Sequence, residues 1–207
     1  MSVRLYGVPT SPNVRGAALG LVEKGVDYEL VPVPPPFKDS EHMARNPFGR
    51  VPVLEHDGFL LYETQAILRY LDTAFEGPAL QPEDLRATAR MNQILGIIDC
   101  YLFKSWSGEI GFERLIAPRF FGRPSDLAAI EAALPMARRS AEALEPLIAA
   151  PYLTGETYSL ADIRLLPHFA WFRLTPEGET ILAGKPGLNA WFERVSARPG
   201  VQAVLAN

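Results

Sequence analysis

The chain has 207 residues and a mass of 22.8 kDa, with 48% apolar and 21% charged side chains, so it can bury a core of its own and is not a largely disordered polymer. Its 20 basic and 24 acidic side chains leave a formal net charge of −4, which excludes an overall positive field that would draw in nucleic acid or an anionic membrane. One cysteine, Cys100, and three scattered histidines exclude an intramolecular disulfide and offer no metal site, and no uncharged apolar run reaches about 18 residues, so the expectation is a cytoplasmic protein without metal.

Val3, Leu5 and Tyr6 form an apolar run that stops at Gly7 and Pro9, predicting a buried strand over residues 3–6. Val14, Ala17, Ala18, Leu21 and Val22 then follow helical spacing, closed by Lys24 and Gly25. Tyr28 to Val33 reads as a second strand that can return parallel to the first. Pro32, Pro34, Pro35 and Pro36 end it, because proline cannot donate to a sheet ladder, and a surface loop carrying Lys38 and His42 follows. Asn46-Pro47-Phe48-Gly49 is turn chemistry, and Asp57-Gly58 between two apolar runs predicts a hairpin. Ile67, Tyr70, Leu71, Ala74 and Phe75 repeat the helical spacing behind Glu63. Residues 1–76 therefore read β-α-β-α-β-β-α.

Gly77, Pro78 and Pro82 break the pattern and define a linker over 77–83. Residues 84–207 read as all helical, with helices over 84–105, 125–149, 160–174 and 188–197, the third kinked at Pro167. The strongest start signal is Ser159, with Asp162 three residues on and Tyr158 and Ile163 at the staple positions. The fold class is thus an α/β domain followed by an all-α domain.

Three places could carry chemistry. Ser11, followed by Pro12, sits where it caps the first helix, and a helix N-terminus also favours an anion such as a thiolate, whose sulfur the Ser11 hydroxyl could meet. Val51-Pro52 reads either as an edge-strand proline or as a cis bond that presents the Val51 backbone to a peptide-like ligand. Glu63-Thr64 opens a helix, either as a simple cap or as a holder of an amino-acid ammonium and carboxylate. A ligand that uses all three is a thiol peptide.

The segments Tyr6-Gly7-Val8-Pro9-Thr10-Ser11-Pro12-Asn13-Val14-Arg15, Asn46 to Pro52, Glu63-Thr64-Gln65-Ala66-Ile67 and Ser159-Leu160-Ala161-Asp162, with Trp191 and Arg198-Pro199-Gly200-Val201 at the close, resemble those of the cytosolic glutathione transferases. The likeness is to the serine-type phi and theta classes, in their bacterial style. It implies a thioredoxin-like glutathione-binding domain, a helical domain supplying the pocket for a small hydrophobic electrophile, a role in detoxification, a homodimer, and glutathione as co-substrate. It also implies that Ser11 stabilises the thiolate, that Val51 and a cis Pro52 pair with the cysteinyl unit, that Glu63 and Thr64 anchor the γ-glutamyl group, and that Lys38 reaches the glycyl carboxylate. Arg50 stands where the family often has glutamine or lysine, and Arg15 matches a recurrent arginine. Tyr6 and Thr10 compete with Ser11 for the sulfur, while the absence of cysteine from positions 9–13 speaks against omega-like and beta-like relatives. Tyr101, Phe103, Trp106 and Phe112, with Phe120 and Phe121 beyond, are candidates for the electrophile pocket. Cys100 is expected to be a small buried hydrophobe, and His42, His56 and His168 have no evident partners and no assigned role. A ligand carrier or stress-related interaction protein, and a peroxidase or dehalogenase using the same thiolate, are the alternative functions.

Overall fold

The computed structural model describes residues 1–206, which divide into two compact units, Met1–Leu80 with Arg198 onward, and Gln81–Ala197. The first unit opens β1 (Val3–Gly7), α1 (Pro12–Glu23), β2 (Glu29–Pro32), α2 (Ser40–Arg45), β3 (Val53–His56), β4 (Phe59–Tyr62) and α3 (Thr64–Ala74), the order the sequence predicts. Its sheet has the order β2-β1-β3-β4, with β1 and β2 parallel and β3 antiparallel to both of its neighbours. The β3–β4 hairpin turns at Asp57 and Gly58, at φ 47° and 85°, the positive angles that match a two-residue turn to the twist of its strands. Leu5, Leu19, Leu21, Leu54, Ile67, Leu68 and Leu71 fill the core with no exposed surface. Lys24, at the end of α1, reaches the Asp72 carboxylate at 3.3 Å and the Pro78 carbonyl at 3.1 Å, tying α1 to the end of α3 and the start of the linker.

The linker proline pattern ends at α4 (Leu85–Ile97), which continues as a π-helical segment over Ile98–Ile116 and then α5 (Ala117–Phe120). The expected helix end near residue 105 is therefore wrong. The chain instead continues with i to i+5 hydrogen bonds, and at Gly111 the fit is close enough that an added Cβ would lie 2.8 Å from the Trp106 carbonyl oxygen. Next come α6 (Leu127–Leu144), a short 3-10 turn (Glu145–Leu147), α7 (Leu160–Phe172), α8 (Pro176–Leu182) and α9 (Pro186–Ser196). Helix α7 runs through Pro167 without interruption. Sequence reasoning missed α8, although Thr175 caps it through the Gly178 amide at 3.0 Å and Pro176 occupies its first position, a readable start signal. It also placed the closing residues with the helical domain. Instead α10 (Pro199–Ala206) groups with the first unit, where Arg198 pairs with Glu23 at 2.6 Å and Arg15 donates to the Leu205 carbonyl.

The second unit is centred on aromatic packing: Trp106 stacks on Phe172 at 4.4 Å, and Phe169 meets Trp191 edge-on at 5.7 Å. The capping box at Ser159 forms, and the buried Asp162 carboxylate also accepts from the Leu153 amide and the Trp191 indole. Burial pushes that carboxyl up, while its four donors act in the opposite direction. His168, further along α7, is also fully buried. Arg164 can only donate, so His168 Nε2 accepts from it, and Nδ1 carries the proton toward Ser107 Oγ at 2.7 Å.

Burial, then the Arg164 charge, hold His168 well below its usual value of 6.5. The unfolded chain takes up this proton near pH 6.5 and the folded chain does not, so this contribution is complete above that pH and lost below it. We expect the unfolding free energy to fall from about pH 6.5 downward by up to about 1.4 kcal/mol per pH unit from this group. His168→Gln should flatten that part of a urea-denaturation profile taken between pH 7 and pH 5; an unchanged slope would refute the assignment.

Candidate functional site

The sheet register brings the predicted site residues to one end of the sheet. Gly7 at the end of β1 pairs with Pro32 at the end of β2, Tyr6 pairs with Val53 at the start of β3, and Val53 pairs with Tyr62 at the end of β4. The loop to Ser11, the loop to Lys38, the approach through Arg50-Val51-Pro52, and Glu63-Thr64 all leave from that end. It is the carboxyl end of the two parallel strands, a usual place for ligands in open α/β sheets.

Ser11 caps α1 in an extended conformation, with Pro12 at the first helical position. Its Oγ accepts from the Val14 amide at 3.5 Å and donates to no group among the described residues, so its hydroxyl proton is uncommitted, and the first turn carries no acidic side chain to occupy its positive end. Thr10 lies before the cap, outside α1. Tyr6 is 5% exposed, donates its hydroxyl to Glu55 and lies under the Arg45 guanidinium at 4.3 Å. Burial, then the Glu55 hydrogen bond, push its phenol up, so Tyr6 is occupied within the sheet.

The Val51-Pro52 peptide is cis. The edge-strand reading of Pro52 fails because β3, which it enters, is paired on both sides. Val51 is 9% exposed, and neither its N–H nor its carbonyl forms a hydrogen bond among the described residues. A free donor and acceptor on one residue match the two groups that an added strand would pair with. Glu63, at the start of α3, has φ 70° and ψ 111°, makes no side-chain cap and stays exposed, while Thr64 beside it is buried. That region of backbone space is costly for a residue with a Cβ and is characteristic of functional sites. Lys38 and Arg50 are exposed. The Lys38 stem runs close to Gly49, where an added Cβ would lie 3.7 Å from Lys38 Cγ.

His42 and Asn46 were missed as parts of this region. Asn46, read only as turn chemistry, donates through Nδ2 to the Arg50 carbonyl at 2.8 Å and accepts from the Phe48 amide at 3.0 Å. His42 Nε2 lies 3.0 Å from the same carbonyl. Spacing from Asn46 to Arg50 was the only available signal. His56 bonds the Tyr70 hydroxyl at 2.8 Å. A cavity of about 570 Å³ in this unit, lined by Pro9, Val14, Arg15, Tyr28, Leu30 and others, holds none of the predicted site residues.

In the second unit the aromatic candidates separate. Trp106 has no exposed surface and donates its indole N–H to the Ala137 carbonyl at 3.1 Å, so it is core and cannot line a pocket. Phe103 is half-buried edge-on to His168, Phe112 is half-buried against Phe121, and Tyr101 is exposed. Cys100 is exposed, contrary to expectation, because it lies midway between the buried Ile98 and Leu102 and so falls on the opposite face of the helix. Among the described residues no cluster of three or more His, Cys, Asp or Glu could hold a metal, and no helix is long and apolar enough to cross a membrane.

Residues 5–79 match the family model of the glutathione S-transferase N-terminal domain, and residues 126–194 that of the C-terminal domain. Glutathione S-transferase 3 of Zea mays is 33% identical over 212 residues, covering 99% of this chain and 93% of its own. Glutathione S-transferase 4 of the same plant is also 33% identical, covering 98% and 92%. Among solved structures, glutathione S-transferase III in its apo form superimposes with a TM-score of 0.88 at 31% identity over 100% of this chain and 96% of its own. Glutathione S-transferase I from maize, in complex with an atrazine glutathione conjugate, does so with a TM-score of 0.83 at 30% identity over 100% and 97%. With both domain models matched in order and such relatives aligned along nearly its whole length, the chain belongs to the glutathione S-transferase family.

Proposed function

We propose that the protein conjugates glutathione to small hydrophobic electrophiles, with Ser11 stabilising the thiolate at the start of α1. The observation that carries this reading is the free Val51 N–H and carbonyl at the same sheet end as the uncommitted Ser11 hydroxyl. The cysteinyl backbone pairs with Val51, which directs its thiol toward α1. There the Ser11 O–H and the first-turn amides favour the anion, while desolvation opposes it. The thiol proton leaves to solvent; the sulfur then forms a bond to carbon as the leaving group departs with its electron pair. Glu63 and Thr64 hold the γ-glutamyl end, Lys38 meets the glycyl carboxylate, and Arg50 adds positive charge beside it. Catalysis is pKa tuning plus proximity, without a covalent enzyme intermediate.

Residues 1–76 form the glutathione-binding domain in this reading, 77–83 the linker, and the helical domain from 84 supplies the electrophile pocket, with Tyr101, Phe103 and Phe112 as its candidates. A homodimer is supported by the exposed apolar side chains of Phe59 and Leu60 in the edge strand β4 and of Phe48, whose ring meets Tyr62 of the same strand; a monomer in sedimentation would remove that part. The function itself is tested by calorimetric titration with glutathione and by the rate of thioether formation from an aryl halide. Binding with turnover is expected, and no binding at millimolar glutathione overturns the reading.

A further inference from the structure

The Arg50 carbonyl receives the Asn46 amide at 2.8 Å and His42 Nε2 at 3.0 Å, one for each lone pair of the oxygen. A carbonyl can only accept, so His42 carries its proton on Nε2. Its other nitrogen, Nδ1, a bare acceptor in the neutral ring, is buried without a partner in a residue that is 1% exposed. A buried unpaired acceptor is a cost that a leucine of similar size would avoid. The same ring faces Phe37 at 6.4 Å, an apolar neighbour that supplies no donor. The donor at Nε2 therefore has a use that outweighs the orphan at Nδ1.

That use lies one bond further along the chain. The Arg50–Val51 peptide is not among the cis bonds, so its C=O and N–H point in opposite directions in one plane. Fixing the Arg50 oxygen from two sides fixes the direction of the Val51 N–H, the free donor beside cis Pro52. We propose that His42 is a positioning residue for glutathione: by clamping the Arg50 carbonyl it aims the Val51 N–H at the cysteinyl carbonyl of the ligand. The role rests on the reading of Val51 as the cysteinyl partner.

The test compares wild type with His42→Leu and His42→Phe, which remove the donor, and His42→Gln, whose amide can replace it. Glutathione affinity by calorimetry, and KM for glutathione, KM for the aryl halide and kcat, are read in parallel. The donor-free variants should weaken glutathione roughly tenfold, with kcat and KM for the halide within about twofold, and His42→Gln should recover most of the affinity. Donor-free variants that bind glutathione like wild type overturn the role. So does a loss shared equally by both substrates and not recovered by glutamine, which is what a merely structural histidine would give. Imidazole nitrogen shifts of the unmodified protein supply a check independent of any variant's folding: a proton on Nε2 is required, and a ring protonated on Nδ1 alone refutes the clamp. A wild type that binds no glutathione defeats the Val51 reading first, whereas a wild type that binds it alongside unaffected variants defeats only the assignment of His42.

Discussion

Ser11→Ala is expected to return the thiol of bound glutathione toward its free value of about 8.5, whereas Tyr6→Phe leaves it depressed. The difference follows from where the two hydroxyls are. Tyr6 gives its proton to Glu55 inside the sheet, while Ser11 holds only a 3.5 Å bond to the Val14 amide and keeps its own proton available. Removing one well-placed donor from a developing or stored anion costs about 10²- to 10³-fold in rate, so conjugation by Ser11→Ala should fall by roughly that factor, with a smaller change in glutathione affinity. The measurement is the ultraviolet absorbance of the thiolate, titrated with glutathione bound. If Tyr6→Phe abolishes the absorbance and Ser11→Ala does not, the sulfur is held by the tyrosine. If the wild type binds glutathione but shows no thiolate at neutral pH, the ligand-carrier alternative gains the ground that the transferase loses.

The largest effect on stability is expected at Asp162. Its Oδ1 accepts from the Leu153 amide at 2.9 Å and the Trp191 indole at 2.8 Å, and its Oδ2 accepts from the Ser159 amide and hydroxyl at 2.9 and 2.8 Å. One carboxylate thus joins the segment before α7, the cap of α7 and the face of α9. Asp162→Ala leaves four buried donors without an acceptor and should lower the unfolding free energy by about 4 kcal/mol. Asp162→Asn keeps an oxygen for Leu153 and Trp191 but turns an amide donor toward the Ser159 N–H, so an intermediate loss of about 2 kcal/mol is expected. Urea denaturation followed by tryptophan fluorescence reads both. An alanine variant within about 1 kcal/mol of wild type would mean that the network is replaced by water and contributes little net stability.

These two residues were legible in the sequence for the same reason: each belongs to a local start signal, Ser11-Pro12 and Ser159-x-x-Asp162, whose physics is complete within four residues. Asp162's further bonds to Leu153 and Trp191 were not legible, since they span 9 and 29 positions. Trp106 shows the same limit from the other side. Helical spacing marks an apolar face but does not say whether that face meets a pocket or a core, and Phe172 decides it. Cys100 failed for the opposite reason: the expectation of burial came from residue type alone, whereas the spacing of the buried Ile98 and Leu102 puts position 100 on the outer face.

What the sequence determined by itself is the set of elements and the residue types at their ends: the Asp57-Gly58 hairpin, the caps at Ser11 and Ser159, and the break at Gly77-Pro78 are all short-range balances of backbone angle and hydrogen bonding. Only the tertiary structure decided that β3 lies inside the sheet, that α10 belongs with the first unit, and that His42 and Asn46 converge on the Arg50 carbonyl. The physical reason is that pairing and burial are settled between segments far apart in the chain. Periodicity says that a surface must be covered, and strand order and packing choose which surface covers it.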